Sequence, residues 1–291
     1  MSAAVQLDLT GPLPAAPMLA ALAAHSLPRI QVTTIEPVLG GGGARGTVRR
    51  LLPLDGGPVE IEVEISDGAV RLRLPESTST AARAVAIATV RRWLDLDQDP
   101  AAVHHALGDD PLLAPLIAAR NGLRIVGHPD AFEAAVTTVL GQRVSLAAAR
   151  VFGARLVEHL APQGEMVAFP APELLAAADP VELRAAVGVT ASRARCVVEL
   201  AARCADGLDL VGGDPADVRP ELLAVPGIGP WTVEYLAVRV LGDRDAFPAG
   251  DLVLQRALGV SSAHHAARIA EPWRPWRAYA LFHLWTAQTY S

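Results

Sequence analysis

A mainly α protein carrying an N-terminal α+β domain is the fold class that this 291-residue sequence predicts. Two observations carry that expectation. Strand-like alternation of apolar and polar side chains is confined to the first hundred residues, whereas from residue 100 onward apolar residues recur at helical spacing between Pro and Gly punctuation. Nothing repeats at a fixed period, which argues against a solenoid.

In chain order, apolar spacing predicts a helix over residues 15–24. Residues 30–36 (IQVTTIE), 46–52 (GTVRRLL), 58–65 (PVEIEVEI) and 68–74 (GAVRLRL) alternate as half-buried strands, and Ser66-Asp67-Gly68 supplies a hairpin turn. A small antiparallel sheet follows, with a second helix over 79–94 available to cover one face. Asp130 can cap a helix over 131–140. Further helices are predicted near 143–160, 172–178, 180–187, 191–206, 217–224, 230–241, 251–258, 262–270 and 275–287.

With 51% hydrophobic residues, the chain can bury one large core or a few smaller ones, which favours a folded enzyme over a tail or adaptor. The start, MSAAVQLDLTGPLP, lacks a cationic patch followed by an apolar run, and the Ala-rich stretches are broken by charges. The expectation is a soluble cytoplasmic protein with no membrane partner and no obligate protein partner. Cys196 and Cys204 lie eight residues apart in one predicted helix, too far along its axis to bridge or share a metal. The net charge of −6 argues mildly against coating DNA electrostatically, yet leaves room for binding through a local patch of backbone amides. All 25 residues counted as Lys or Arg are Arg.

Gly41, Gly43 and Gly46 meet the spacing G-x-G-x-x-G, but a strand pattern follows where a dinucleotide site needs a helix, so a hairpin loop is the better reading. His104-His105 and His264-His265 are adjacent pairs that point to different sides of a helix and do not suit chelation of one ion.

The informative segment is VPGIGPWTVEYLAVRV, residues 225–240. Pro226-Gly227-Ile228-Gly229 makes a tight turn into a helix that begins at Pro230, a favoured first helical position. Free N–H groups at that helix start would seat a phosphate, although a plain αα-hairpin with a glycine turn remains open. Twenty residues beyond Trp231 stands Asp251, in DAFPAGDLVLQRAL, where a carboxylate is also an ordinary helix cap.

Together with HPDAFEAAVTTVLGQRVSLAAA (128–149) and EPWRPWRAYALFHLW (271–285), these blocks make the sequence resemble the helix-hairpin-helix DNA glycosylases, in the alkylation-repair branch of DNA-3-methyladenine glycosylase II, or AlkA type. The resemblance covers nearly the whole chain. It implies an N-terminal sheet-and-helix domain (1–97), a central helical domain ending in the hairpin (129–243), and a third helical unit built from 98–128 with 244–291. The active-site cleft would lie between the two helical units.

Carried onto these residues, the resemblance makes Asp251 the catalytic carboxylate and places Trp231, Tyr235, Trp285 and Gln142 at the base pocket. Gln142 and Arg143 would sit on the loop that enters the duplex, and Pro226, Gly227, Ile228 and Gly229 would hold the DNA backbone. The carbonyls of Leu223, Val225 and Ile228 would bind a structural sodium or potassium ion, with no cofactor needed for catalysis. Two positions depart from the pattern: Arg143 stands at a commonly apolar wedge position, and Leu252 stands where an aromatic follows the catalytic Asp.

The implied activity is hydrolysis of the N-glycosidic bond of an alkylated purine flipped out of double-stranded DNA, which leaves an abasic site. Two alternatives stay open, a glycosylase for deaminated or oxidised bases and a non-catalytic binder of DNA structure. The branch with an iron–sulfur cluster is excluded, since four thiolates are needed and two cysteines are present.

Overall fold

The computed structural model describes residues 2–38 and 43–290. Its N-terminal part is a five-stranded antiparallel sheet in the order β1-β5-β4-β3-β2. The strands are β1 (Ser2–Leu7), β2 (Gln31–Pro37), β3 (Ala44–Leu54), β4 (Gly57–Ser66) and β5 (Ala69–Pro75). In β3 to β5 alternation does what the sequence predicts: Val48, Leu52, Ile61, Val63, Val70 and Leu72 are buried, while Arg45, Arg49, Glu60 and Arg71 face out and Arg50 alone of these strands' charges is buried. Strand β2 departs from it, with Val32 and Ile35 exposed. Helices α1 (Ala15–Ala24) and α2 (Thr80–Trp93) contribute Met18, Leu19, Ala86, Val90 and Trp93 to the same core.

The glycine-rich stretch has a packing explanation. Gly41 lies outside the described residues, and the strand expected after the motif is β3. A Cβ at Gly46 would stand 2.2 Å from the Thr34 carbonyl oxygen and 3.0 Å from the Leu19 side chain of α1. That position therefore needs glycine for close approach of the chain.

Strand β1 was not predicted. Its Ala-Ala-Val-Gln-Leu run is only half-buried, and it exists because β5 offers an edge, with Val5 opposite Leu72. Helices α3 (Pro100–Leu107) and α4 (Ala114–Ala119) also went unassigned, although Asp99 accepts the Ala101 N–H at 2.9 Å just before Pro100.

The remaining helices follow the predicted order. They are α5 (Ala131–Gly141), α6 (Leu146–Leu160), α7 (Pro172–Ala176), α8 (Pro180–Val187), α9 (Ala191–Ala205), α10 (Pro215–Leu223), α11 (Pro230–Arg239), α12 (Leu252–Ala257), α13 (Ala263–Ala270) and α14 (Arg277–Thr289). A 3-10 turn at Glu271–Trp273 precedes α14. Asp130 caps α5 as expected, accepting the Glu133 N–H at 3.0 Å.

Two hydrophobic cores divide the described residues. One joins the sheet and its helices to α3, α4 and the C-terminal helices through Leu107, Ile117, Phe247, Trp273, Phe282 and Trp285. The other is the interior of α5–α11, to which the N-terminal part adds Leu27 and Ile30. The sheet is tied to the second body by a buried ion pair, Arg50 of β3 with Glu133 of α5 at 2.6 Å, whose side chains are 1% and 3% exposed.

Candidate active site

Asp251 precedes α12, and its Oδ1 accepts the Leu254 N–H at 2.9 Å, so the capping expectation holds. The same oxygen accepts the Trp285 Nε1–H at 3.1 Å, and Oδ2 accepts the Trp231 Nε1–H at 3.2 Å. Capping and presentation at the site are one arrangement. Three N–H donors from α11, α12 and α14 hold this half-buried carboxylate in a fixed orientation.

The loop that delivers Asp251 is fastened along its length. Arg219 of α10 pairs with Glu234 of α11 and with Asp243 at 2.5 Å, and Glu234 in turn accepts the Phe247 N–H at 2.9 Å. Arg277 of α14 makes a bidentate pair with Asp245 at 2.7 and 2.8 Å, and Gln255 of α12 donates to the Ala249 carbonyl at 3.0 Å. Bidentate geometry of this kind sets direction as well as distance.

The aromatic residues meet, with a difference from the expected pocket. Trp231 and Tyr235 stack at 5.3 Å between centroids, and Tyr235 and Trp285 lie 5.5 Å apart at 44°. A base held between two rings needs about 7 Å, twice a van der Waals contact of about 3.5 Å, so Tyr235 and Trp285 do not flank an open slot. Trp285 is instead packed behind Tyr235, with its indole spent on Asp251.

A cavity of about 190 Å³ opens on the other side, walled by Trp231 and Tyr235. Exposed Val144 and Arg150 stand at its mouth, with Thr137, Gly141 and Leu146 alongside, and Arg239, 5% exposed, closes the inner end with His25 and His128. Asp251, Gln142 and Trp285 stand outside this lining, Asp251 being joined to it through Trp231. Leu252 is 63% exposed and also stands outside this wall.

The inner end was not foreseen, because its residues come from four separated parts of the chain. His25 ends α1, His128 precedes α5, Arg239 closes α11 and Tyr290 follows α14. Tyr290 Oη lies 2.7 Å from His25 Nε2, which also accepts from Arg239 at 3.3 Å. Burial, with help from the Arg239 cation, holds His25 well below the usual imidazole range, and burial beside Arg50 lowers His128 to about 3. Both rings are neutral at physiological pH. His128 and Arg239 fall inside the quoted blocks 128–149 and 225–240, but nothing in their spacing brings them together.

Gln142, which caps the end of α5, donates from Nε2 to the Gly227 carbonyl and the Thr232 hydroxyl, both at 3.0 Å, and its own carbonyl accepts from Arg193 at 2.6 Å. The loop of Arg143 is thereby fastened to the hairpin. Arg143 is exposed at the loop tip with φ +57°, a left-handed conformation that costs a non-glycine residue on the order of 1 kcal/mol. In the hairpin itself Gly227 has φ +102°, and a Cβ there would come within 3.1 Å of the Cys196 side chain. Nothing lies within 4 Å of a Cβ built at Gly229, so this glycine leaves room for a surface to approach the start of α11, which has no side-chain cap.

No cluster of three or more His, Cys, Asp or Glu suited to a metal exists among the described residues.

Family comparisons agree with this geometry. Residues 4–130 match the AlkA N-terminal domain and residues 136–271 match the HhH-GPD superfamily of base excision DNA repair proteins. DNA-3-methyladenine glycosylase 2 of Escherichia coli (strain K12) is 40% identical over 206 residues, 68% of this chain and 70% of the relative. The chain belongs to the AlkA-type HhH-GPD family. The "Probable bifunctional transcriptional activator/DNA repair enzyme AlkA" of Mycobacterium tuberculosis is 44% identical over 217 residues, 69% of this chain. Those residues span only 42% of that longer relative. Among solved structures, a 3-methyladenine DNA-glycosylase from Archaeoglobus fulgidus superposes with a TM-score of 0.76 at 21% identity, covering 98% of each chain, which shows a shared AlkA-type fold.

Proposed function

We propose that the chain is a DNA glycosylase of base-excision repair that flips an alkylated purine out of double-stranded DNA and hydrolyses its N-glycosidic bond, leaving an abasic site. The observation that carries this reading is the Asp251 carboxylate, held by the indoles of Trp231 and Trp285 at the edge of an aromatic-walled cavity beside the hairpin. A binder of DNA structure has no use for an oriented acid there.

Extrusion of a stacked base costs a few kcal/mol, and least for a damaged base. Trp231 and Tyr235 would receive it, and a purine alkylated at N3 or N7 carries a positive charge that their π-faces attract by roughly 0.5–2 kcal/mol. Such a base departs without prior protonation, taking the electrons of the C1′–N bond. The demand then falls on the sugar, where positive charge develops at C1′. Asp251 would stabilise that charge and take a proton from the water that bonds to C1′. The start of α11 would seat a backbone phosphate, and the neutral carbonyls of Leu223, Val225 and Ile228 suit a monovalent cation at the same turn.

Arg143 would fill the vacated stack, where a guanidinium can stack and donate together. Arg143→Ala should weaken binding to an abasic-site duplex, and Arg143→Leu should restore part of it with a shallower salt dependence. Titration of labelled duplex at several salt concentrations checks this, and wild-type affinity in Arg143→Ala refutes the wedge role.

The same reading makes the enzyme monofunctional. Strand-nicking glycosylases typically use an amine that attacks C1′, and this chain has no lysine. Incubation with damaged duplex and borohydride should give no covalent protein–DNA adduct; an adduct mapping near Asp251 would overturn the monofunctional reading and the role of Trp231 in receiving the base.

A further inference from the structure

We propose that His25, supplied by the N-terminal domain, reads the flipped base through its Nδ1–H, and that this donor favours purines with an oxygen at C6 over those with an amino group there. This rests on the cavity walled by Trp231 and Tyr235 being the base pocket. The geometry assigns the tautomer. Arg239 can only donate, so His25 Nε2, 3.3 Å from the guanidinium, must be the unprotonated acceptor, and the Tyr290 hydroxyl at 2.7 Å donates to it as well. A neutral imidazole with an acceptor Nε2 carries its proton on Nδ1, and burial next to Arg239 prevents a second proton from adding.

His128 does not offer the same group. Its Nδ1 accepts the Asp130 N–H at 3.2 Å, so its proton is on Nε2, which faces Glu133 at 3.5 Å. His25 Nδ1, by contrast, has no hydrogen-bond partner among the described residues and is not sealed from solvent, and the His25 ring lines the cavity. The inner end thus presents one neutral donor backed by the Arg239 cation. Both attract the lone pairs of a C6 carbonyl, as in 7-methylguanine or hypoxanthine, and both oppose the N–H of a C6 amino group, as in 3-methyladenine. A site built around a donor rejects an edge that leaves it unpaired.

The test compares single-turnover release of 7-methylguanine, hypoxanthine and 3-methyladenine from duplexes of one sequence by wild type, His25→Phe and His25→Asn. Both variants lose the Nε2 acceptor, but only Asn keeps an N–H near the position of Nδ1, so their difference isolates the donor. His25→Phe should release the two 6-oxopurines about tenfold more slowly while 3-methyladenine changes less than twofold, and His25→Asn should recover most of that loss. Equal slowing of all three bases, or equal rates in the Phe and Asn variants, overturns the proposal. Thermal melting confirms that each variant is folded. Should wild type release none of the three, the glycosylase reading itself fails, an outcome distinct from a wild type that is active and indifferent to the substitution.

Discussion

Asp251→Asn should slow release of the damaged base by at least about a hundredfold, a loss of roughly 2.7 kcal/mol of transition-state stabilisation, while binding to the duplex changes little. The asymmetry follows from where the carboxylate sits. Asn keeps the side chain's shape and an oxygen for the Leu254 N–H, so α12 retains its cap. What disappears is the negative charge that would face the sugar, together with Oδ2, the acceptor of the Trp231 indole, while Oδ1 still serves Trp285. The phosphate seat and the Arg143 loop lie on other elements, so affinity for DNA is carried elsewhere. Single-turnover release measured beside equilibrium binding separates the two, and near-wild-type release by Asp251→Asn would remove the carboxylate from the mechanism.

The largest expected effect on stability is at the other end of the site. Glu133→Gln would leave Arg50 as a buried cation without its carboxylate partner, and breaking such a pair typically costs about 3–5 kcal/mol. Arg50 has few substitutes: NH1 reaches Gln31 at 3.3 Å, and its Nε already lacks a partner. Replacing both members, as Arg50→Met with Glu133→Leu, should regain most of the loss, because two apolar side chains remove the unpaired charge. Urea unfolding of the single and double variants measures this. A loss under about 1 kcal/mol in Glu133→Gln would mean that the sheet and α5 are held together by packing alone. Since Glu133 also faces His128 in the cavity wall, the single variant should disturb the inner end as well.

Local physics explains which features the sequence made legible. Strands β3 to β5 could be read because one face is buried and one solvated, which forces a period of two, whereas β2 leaves Val32 and Ile35 exposed and is held by its pairing with β3. Capped helices could be read because Asp130 and Asp251 are needed where they stand. Strand β1 could not, since two alanines give little alternation and its pairing is with β5, nearly seventy residues away. Asp251, Trp231 and the hairpin announced themselves by spacing within one stretch of chain. The inner end of the cavity had no such signal: His25, Arg239 and Tyr290 lie more than 200 residues apart at the extremes and converge only through tertiary packing. Trp285 shows the reverse limit, a residue identified from its motif whose indole turned out to orient the acid instead of walling the cavity.

The central claim, hydrolysis of the glycosidic bond of an alkylated purine, is tested most directly by incubating the protein with a duplex that carries a single 3-methyladenine or 7-methylguanine and identifying what is set free. The account predicts the free alkylated base in solution and a strand that stays intact until hot alkali cleaves it at the abasic site. Recovery of the duplex with its lesion still attached, under conditions where the protein binds it, would contradict the account and leave the chain a binder of damaged DNA.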